Sequence, residues 1–353
     1  MEPKSTPSSV TVDEEGDLVL LVGVKAQTRI LVSSKVLTIS SKVFKAMLSK
    51  SFKEARELAQ RYIRSAVHAS RLLIYVSVHN NQTYELPLPD DDAHTMIVLC
   101  KATHHRSWDI PAETITMPLL RKFASHVHKY DCVEAVRTQA VSSWIASFES
   151  DPTQTLGLVV VSYLLDNAEG FTKFTRTMLM SDKVDIVPFR ESWDTEHQLP
   201  ESFFVILEKK RQAAIEFLSE QITNHLDSMV QGPAALVLAH GYFNGWGNSS
   251  PLSQHDAQLT QMFITNMRTH ILWPHKLSDR SLHATLTVLR CLKNSESPTK
   301  EVQSSDCLAC GTSMREHLTQ IIDDAETFIE GVCLDCFHQK DGLERKCRVQ
   351  HNG

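Results

Sequence analysis

The chain has 353 residues, of which 42% are apolar and 22% charged, and a formal net charge of −6. Those proportions suit a globular protein with room for two cores. They argue against general nucleic-acid binding, which draws on Lys and Arg contacts to phosphate, and no apolar run reaches the ~18 residues of a membrane span.

Residues 1–16 are polar and acidic, unlike a signal or transit peptide, so a disordered tail is expected there, with an edge strand possible at 9–12. A reducing compartment, cytoplasm or nucleus, follows as the expectation. In such a compartment the eight cysteines are thiols or metal ligands rather than disulfides. Two β-branched runs come next, 18–24 and 30–32, joined by a polar turn at 25–28, which is a strand–turn–strand pattern. The period then changes. Val36, Leu37, Ser40, Val43, Phe44, Met47 and Leu48 fall on one face of a helix, and Ser33 or Ser34 can cap it.

Asp17-Leu18, Ile30-x-Val32, Val36-Leu37, Ser40, Val43-Phe44, Met47 and Phe52-x-Glu54 together resemble the core signature of BTB/POZ domains. Ser33-Ser34, where most animal members carry a His, is similar to the fungal version. Further matches lie at 84–92 (YELPLPDDD), at 95–104 and at 119–144, the last containing Lys129-Tyr130-Asp131-Cys132. The resemblance covers residues 17–150 and implies an α+β fold, a small sheet flanked by helices. It also implies a surface for homodimerisation or partner binding. Asp17 and Lys35 match positions that form a charged pocket at the dimer interface. Phe52 and Glu54 match the element by which adaptor members contact a cullin-type ubiquitin-ligase scaffold; the plainer alternative is Phe52 capping the core and Glu54 in solvent.

An insertion atypical of that pattern occupies 55–81. It reads as a long loop or extra hairpin, or alternatively as translated intron around 61–77. Helices are expected at 90–104, 117–130 and 133–148, with a short strand or loop at 107–110. His126 and His128 lie near Cys132, but residues two apart face different sides of a helix, so core-edge or solvated histidines are expected. Trp144, at helical spacing from Ala140 and Phe148, reads as core.

An Asp-Pro linker at 149–154 marks the expected boundary of a helical region over 151–300. Its helices are read at 156–165, 168–180, 201–230, 253–272 and 278–292, with an irregular stretch at 183–199 and a stop at Gly232-Pro233. The glycine-rich run 241–247 lacks the Lys-Ser/Thr and preceding strand of a phosphate loop and reads as a turn. Asn248 begins a glycosylation sequon in form only.

Residues 301–353 hold a helix and a Cys/His tail. Cys307-x2-Cys310 and Cys333-x2-Cys336, with 22 residues between the pairs, suggest a four-cysteine zinc site. The intervening stretch argues otherwise. It carries a capping box, Ser313-x-x-Glu316, an apolar stripe, and Gly331 as a C-terminal cap. Some seventeen residues of helix would separate the pairs by roughly 25 Å. Downstream, Cys333, Cys336, Cys347 and His351 make a compact Cys3His set suited to structural zinc; free thiols in an exposed tail are the alternative. Cys307 and Cys310 with His317 are a candidate set for a separate ion, one that lacks a fourth ligand.

The leading functional expectation is therefore a non-enzymatic protein–protein interaction protein, a homodimer or partner scaffold, with no small-molecule substrate. A cullin adaptor is one alternative. A transcription regulator is another, against which stands the lack of a basic face for DNA. An enzyme finds no support, since nucleophile elbow, zinc-protease and nucleotide fingerprints are all missing.

Overall fold

Alternation within residues 28–32 decides which side of a small sheet is the more deeply buried. The computed structural model describes residues 8–24, 28–49, 84–137, 139–181, 199–231, 261, 264–270, 282–294, 305–339 and 346–351. Strands β1 (Ser9–Thr11), β2 (Leu18–Val22), β3 (Thr28–Val32) and β4 (Tyr84–Leu88) form one sheet in the order β1-β3-β2-β4. β2 and β3 are antiparallel; β1 runs parallel to β3 and β4 parallel to β2. Leu20 sits between Ile30 and Leu86, and Val22 between Thr28 and Leu88, all buried on one face. The other face is wetter and carries an Arg29–Glu85 ion pair at 2.6 Å. Pro87, which has no N–H to give a ladder, lies on the edge strand β4, where that loss is tolerated. The chain is thus a mixed α+β protein, with a four-stranded sheet and mostly helices among the described residues.

Three expectations need correction here. Residues 9–16 are not a disordered tail: β1 pairs with β3, Val12 is buried, and Arg106 donates to the Val12 carbonyl at 2.7 Å. Residues 34–47 are not one helix but two, α1 (Ser34–Ser40) and α2 (Lys42–Met47), because Ser41 is extended between them. Its buried hydroxyl donates to the Tyr130 carbonyl and accepts from the Phe44 N–H, so a partner 89 residues away sets the break. Nor does a serine side chain cap α1: the Asp17 carboxylate accepts from the Ser34 N–H at 2.7 Å and hydroxyl at 2.6 Å.

The apolar face of the sheet meets α3 (Ala93–Thr103), whose Met96, Leu99, Cys100 and Ala102 are fully buried. Asp92 caps α3 by accepting from Thr95. After 3-10 turns at Ser107–Asp109 and Ala112–Thr114 come α4 (Met117–Lys129), α5 (Val133–Val136) and α6 (Gln139–Ala146). The single helix expected at 133–148 is therefore interrupted at Arg137, whose backbone leaves the helical region. Its guanidinium pairs with Glu134 and Asp166. Trp144 is core, edge-on to Phe123 at 5.7 Å. His126 is half-buried and His128 exposed, as core-edge and solvated histidines should be.

At the turn before α3 the buried Asp91 carboxylate accepts from Lys129 and from the Tyr130 hydroxyl, each at 2.6 Å, while His126 Nε2 approaches at 3.3 Å. Burial opposes ionisation, but the polar hydrogens of His126, Lys129 and Tyr130 and the Lys129 charge outweigh it and hold the carboxyl at about 2 instead of 3.8. A folded-state pKa below the unfolded one gives stability that is complete above about pH 4 and lost as pH falls toward 2. Wild-type unfolding free energy should drop by about 2 kcal/mol across that window, and Asp91→Asn should flatten this limb in urea titrations at stepped pH.

Asp17 yields a second test. Asp17→Ala removes both bonds at the α1 N-terminus and should cost about 1 kcal/mol in urea unfolding, whereas Asp17→Asn keeps an acceptor and should cost less. A dimer weakened by Asp17→Asn at unchanged stability would point instead to a role between copies.

Contacts divide the chain into two compact units, Met1–Gly170 and Phe171–Gly353. The expected boundary at 149–154 is thus too early. Residues after that linker form α7 (Thr155–Leu164), which packs on α4 and buries Leu156, Leu158, Val159 and Val160.

In the second unit lie most of α8 (Ala168–Met180), then α9 (Glu201–Gln231), α10 (Leu282–Asn294), α11 (Ser305–Phe328) and α12 (Leu334–Gln339). Phe203, Leu207, Ala214, Leu218 and Ile222 form the buried stripe of α9, at the three- and four-residue steps of one helix face. α9 and α10 both pack on α11, through Leu286 and Leu289 of α10 and Leu318, Ile322 and Ala325 of α11. Of the helix read at 253–272, residues 264–269 are helical. The insertion at 55–81, the stretch 183–198, the Gly232-Pro233 stop, the run 241–247 and Asn248 lie outside the described residues. No helix among the described residues is long and apolar enough to cross a membrane.

Candidate metal centre

The end of α11 is held by α8. Arg176 donates to the Glu326 carbonyl at 2.7 Å and the Ile329 carbonyl at 2.8 Å, satisfying acceptors that a helix terminus leaves open. The next residues run along α8: the Val332 N–H donates to Thr175 Oγ1 at 2.8 Å, and Thr172 Oγ1 donates to the Val332 carbonyl at 3.2 Å. Gly331 is not the left-handed C-terminal cap its sequence position suggests. It lies three residues past the helix end, and a Cβ there would stand 1.8 Å from the Thr172 carbonyl oxygen. Close approach of two backbones, not a positive φ, demands glycine.

That anchored segment delivers Cys333 to the start of α12, where its carbonyl accepts from the Phe337 N–H at 3.0 Å. Cys336 stands three residues on, the spacing that puts two side chains on one side of a helical turn. Phe337, on another side of α12, packs against Phe171 and Phe203 at centroid distances of 6.2 and 6.3 Å. The short helix is therefore docked into the core of its unit.

Residues 346–351 return to the same place through one ion pair. Asp335, 2% exposed at its side chain, accepts from the Arg348 backbone N–H at 2.8 Å, from Nε at 3.0 Å and from the terminal guanidinium nitrogen at 2.8 Å. Burial works against the Asp335 charge, but Arg348 prevails and lowers its pKa. A fork-to-carboxylate pair also fixes orientation, and Arg348 directly follows Cys347.

The four expected ligands meet. One donor atom from each of Cys333, Cys336, Cys347 and His351 lies within 4.8 Å of all the others. Cys336 Sγ is 3.4 Å from Cys347 Sγ and 3.3 Å from His351 Nε2. Zinc–sulfur bonds near 2.3 Å and a zinc–nitrogen bond near 2.0–2.1 Å at tetrahedral angles place donors roughly 3.5–3.8 Å apart. The cluster fits that size, and three thiols with one imidazole fit zinc in chemistry. Burial, then the Cys347 and Cys333 thiols beside it, push the Cys336 thiol up to about 12. A cation bound beside Cys336 would favour its thiolate and offset that push.

Cys307 and Cys310 fall in the first two turns of α11. α11 starts at Ser305, eight residues before the expected cap at Ser313, and runs unbroken to Phe328. Cys310 is thus separated from the far end of α11 by roughly 27 Å of helix, which excludes a shared ion with Cys333.

The other expected site residues are placed less informatively. Asp17 and Lys35 are both exposed, the Asp17 carboxylate is engaged by Ser34, and no ion pair among the described residues joins the two. Phe52 and Glu54 lie outside the described residues. Sequence reasoning missed the Asp335–Arg348 pair, although an acid inside Cys333-x2-Cys336 and an arginine beside Cys347 were visible signals. It also missed Thr172, Thr175 and Arg176, for which nothing local signals a role. No family model matches the chain, and neither a curated protein nor a solved structure does.

Proposed function

We propose that this chain is a non-enzymatic protein-binding scaffold of the BTB/POZ type. Its first unit self-associates or binds a protein partner, and its second unit is stapled by one structural zinc ion on Cys333, Cys336, Cys347 and His351. The observation carrying the reading is the closed donor set. Four protein ligands complete a tetrahedron and leave no position for water or substrate, the mark of a structural rather than catalytic site. Zinc there supplies a cross-link between α12 and residues 346–351, and positive charge for the thiolates. The BTB/POZ part draws support from the motif resemblance over 17–150 and from a small sheet, β1-β3-β2-β4, covered on one face by helices.

The cullin-adaptor reading rests on Phe52 and Glu54 alone and gains no further observation. A DNA-reading role is disfavoured by the acidic balance of −6. Cytoplasm or nucleus remains the proposed location, where thiols stay reduced. Co-expression of two differently tagged full-length copies tests the scaffold reading. Co-purification of the two tags supports self-association, and a cullin recovered in their place moves the chain to the adaptor class. A strictly monomeric chain that enriches no protein overturns the reading.

A further inference from the structure

We infer that Cys336 and Cys347 form a redox-linked release device for the ion: a hydroperoxide joins them as a disulfide, and the site lets go of its metal. This rests on the zinc reading above. Two independent observations point to this pair among the three cysteines. Their sulfurs are 3.4 Å apart, and both residues are partly open to solvent, whereas Cys333 is only 6% exposed. An oxidant reaches Cys336 and Cys347 more readily than Cys333, and reactivity of a thiolate follows its access.

The second observation is the clamp. In a site held together only by its ion, oxidation lets the chain part before a second sulfur finds the first. Here Arg348, adjacent to Cys347, is tied by a bidentate bond to the buried Asp335, adjacent to Cys336. Phe337 holds α12 against Phe171 and Phe203 at the same time. Neither anchor uses a metal ligand, so both persist as ligands are consumed and keep the two sulfurs opposed.

The chemistry balances. The Cys336 thiolate attacks one oxygen of the hydroperoxide, the O–O bond breaks, and the other oxygen leaves as water (or as an alcohol from an organic hydroperoxide) after taking a proton. The resulting sulfenic sulfur is attacked by the Cys347 thiolate. An S–S bond forms, the S–O bond breaks, and hydroxide takes a proton to leave as water. The two sulfurs give up two electrons, and the peroxide accepts both. Cys333 and His351 remain as two ligands, too few to complete a zinc tetrahedron. A dithiol reductant returns both thiolates and with them the site.

The test uses zinc-loaded full-length protein and hydrogen peroxide at stoichiometric steps, with released zinc read by a chromogenic chelator and linkages read by peptide mass spectrometry. The expected result is release of about one zinc per chain, the content of a single closed site, in step with a Cys336–Cys347 linkage two hydrogens lighter than the thiols. Dithiothreitol and added zinc are expected to reverse both signals. Alkylation of the exposed Cys291, outside the site, should release none. Zinc retained while peroxide is consumed overturns the inference, as does release with a Cys333–Cys336 linkage or with sulfinic acids alone. A chain that purifies without metal overturns the zinc reading and this inference together. A chain that holds zinc but keeps it under peroxide overturns the inference only.

Discussion

Cys336→Ser is expected to leave the purified chain without its metal ion while α12 stays docked and resistant to protease. Cys336 has the close contacts of the set, at 3.4 Å to Cys347 and 3.3 Å to His351, so its loss removes the donor that the others surround. A serine hydroxyl does not ionise near neutral pH and does not replace a thiolate. Structural zinc sites bind their ion with apparent free energies of about 10–16 kcal/mol, so the loss of one ligand costs far more than an ordinary surface substitution. The damage should still be local, because Asp335–Arg348 and Phe337 hold α12 by other means. Metal analysis with limited proteolysis measures both effects. Cys307→Ser should retain the ion, since α11 carries that residue far from the site. Metal lost in Cys307→Ser but kept in Cys347→Ser would reverse the ligand assignment.

Gly331→Ala should destabilise the second unit by roughly 3 kcal/mol, the upper range for forcing atoms into a packed site. The added methyl would stand 1.8 Å from the Thr172 carbonyl oxygen and 2.9 Å from Thr175 Oγ1. Backbone, not a flexible side-chain end, meets it first, so the strain has no cheap outlet. Relief requires residues 329–333 to move off α8, and that breaks the Val332–Thr175 and Thr172–Val332 bonds which place Cys333. Lower stability in urea and weaker zinc affinity should therefore appear together. A change within about 0.5 kcal/mol, the range of neutral surface substitutions, would mean that the close approach is absent in solution.

Both substitutions show where sequence reasoning reaches and where it stops. The four ligands were legible because their spacing is local. A Cys-x2-Cys pair, ten residues and a Cys-x3-His pair close on themselves without help from the rest of the chain. The strands were legible for a similar reason, since β2 and β3 are short apolar, β-branched runs that follow one another in the chain. Features made by distant partners were not. The break at Ser41 depends on the Tyr130 carbonyl, the depressed Asp91 on Lys129 and Tyr130, and the need for glycine at 331 on Thr172. The boundary failed differently. Asp-Pro at 151–152 does start a turn, but Leu158 and Val160 beyond it still find their cover on α4. A local stop signal marks the end of an element, not the end of a core.

X-ray absorption at the zinc edge on full-length protein, together with metal content, tests the central assignment most directly. A single site on Cys333, Cys336, Cys347 and His351 predicts about one zinc per chain, with three sulfurs near 2.3 Å and one nitrogen near 2.0–2.1 Å. A four-sulfur shell, an oxygen ligand in the first shell, or a chain without zinc would contradict it.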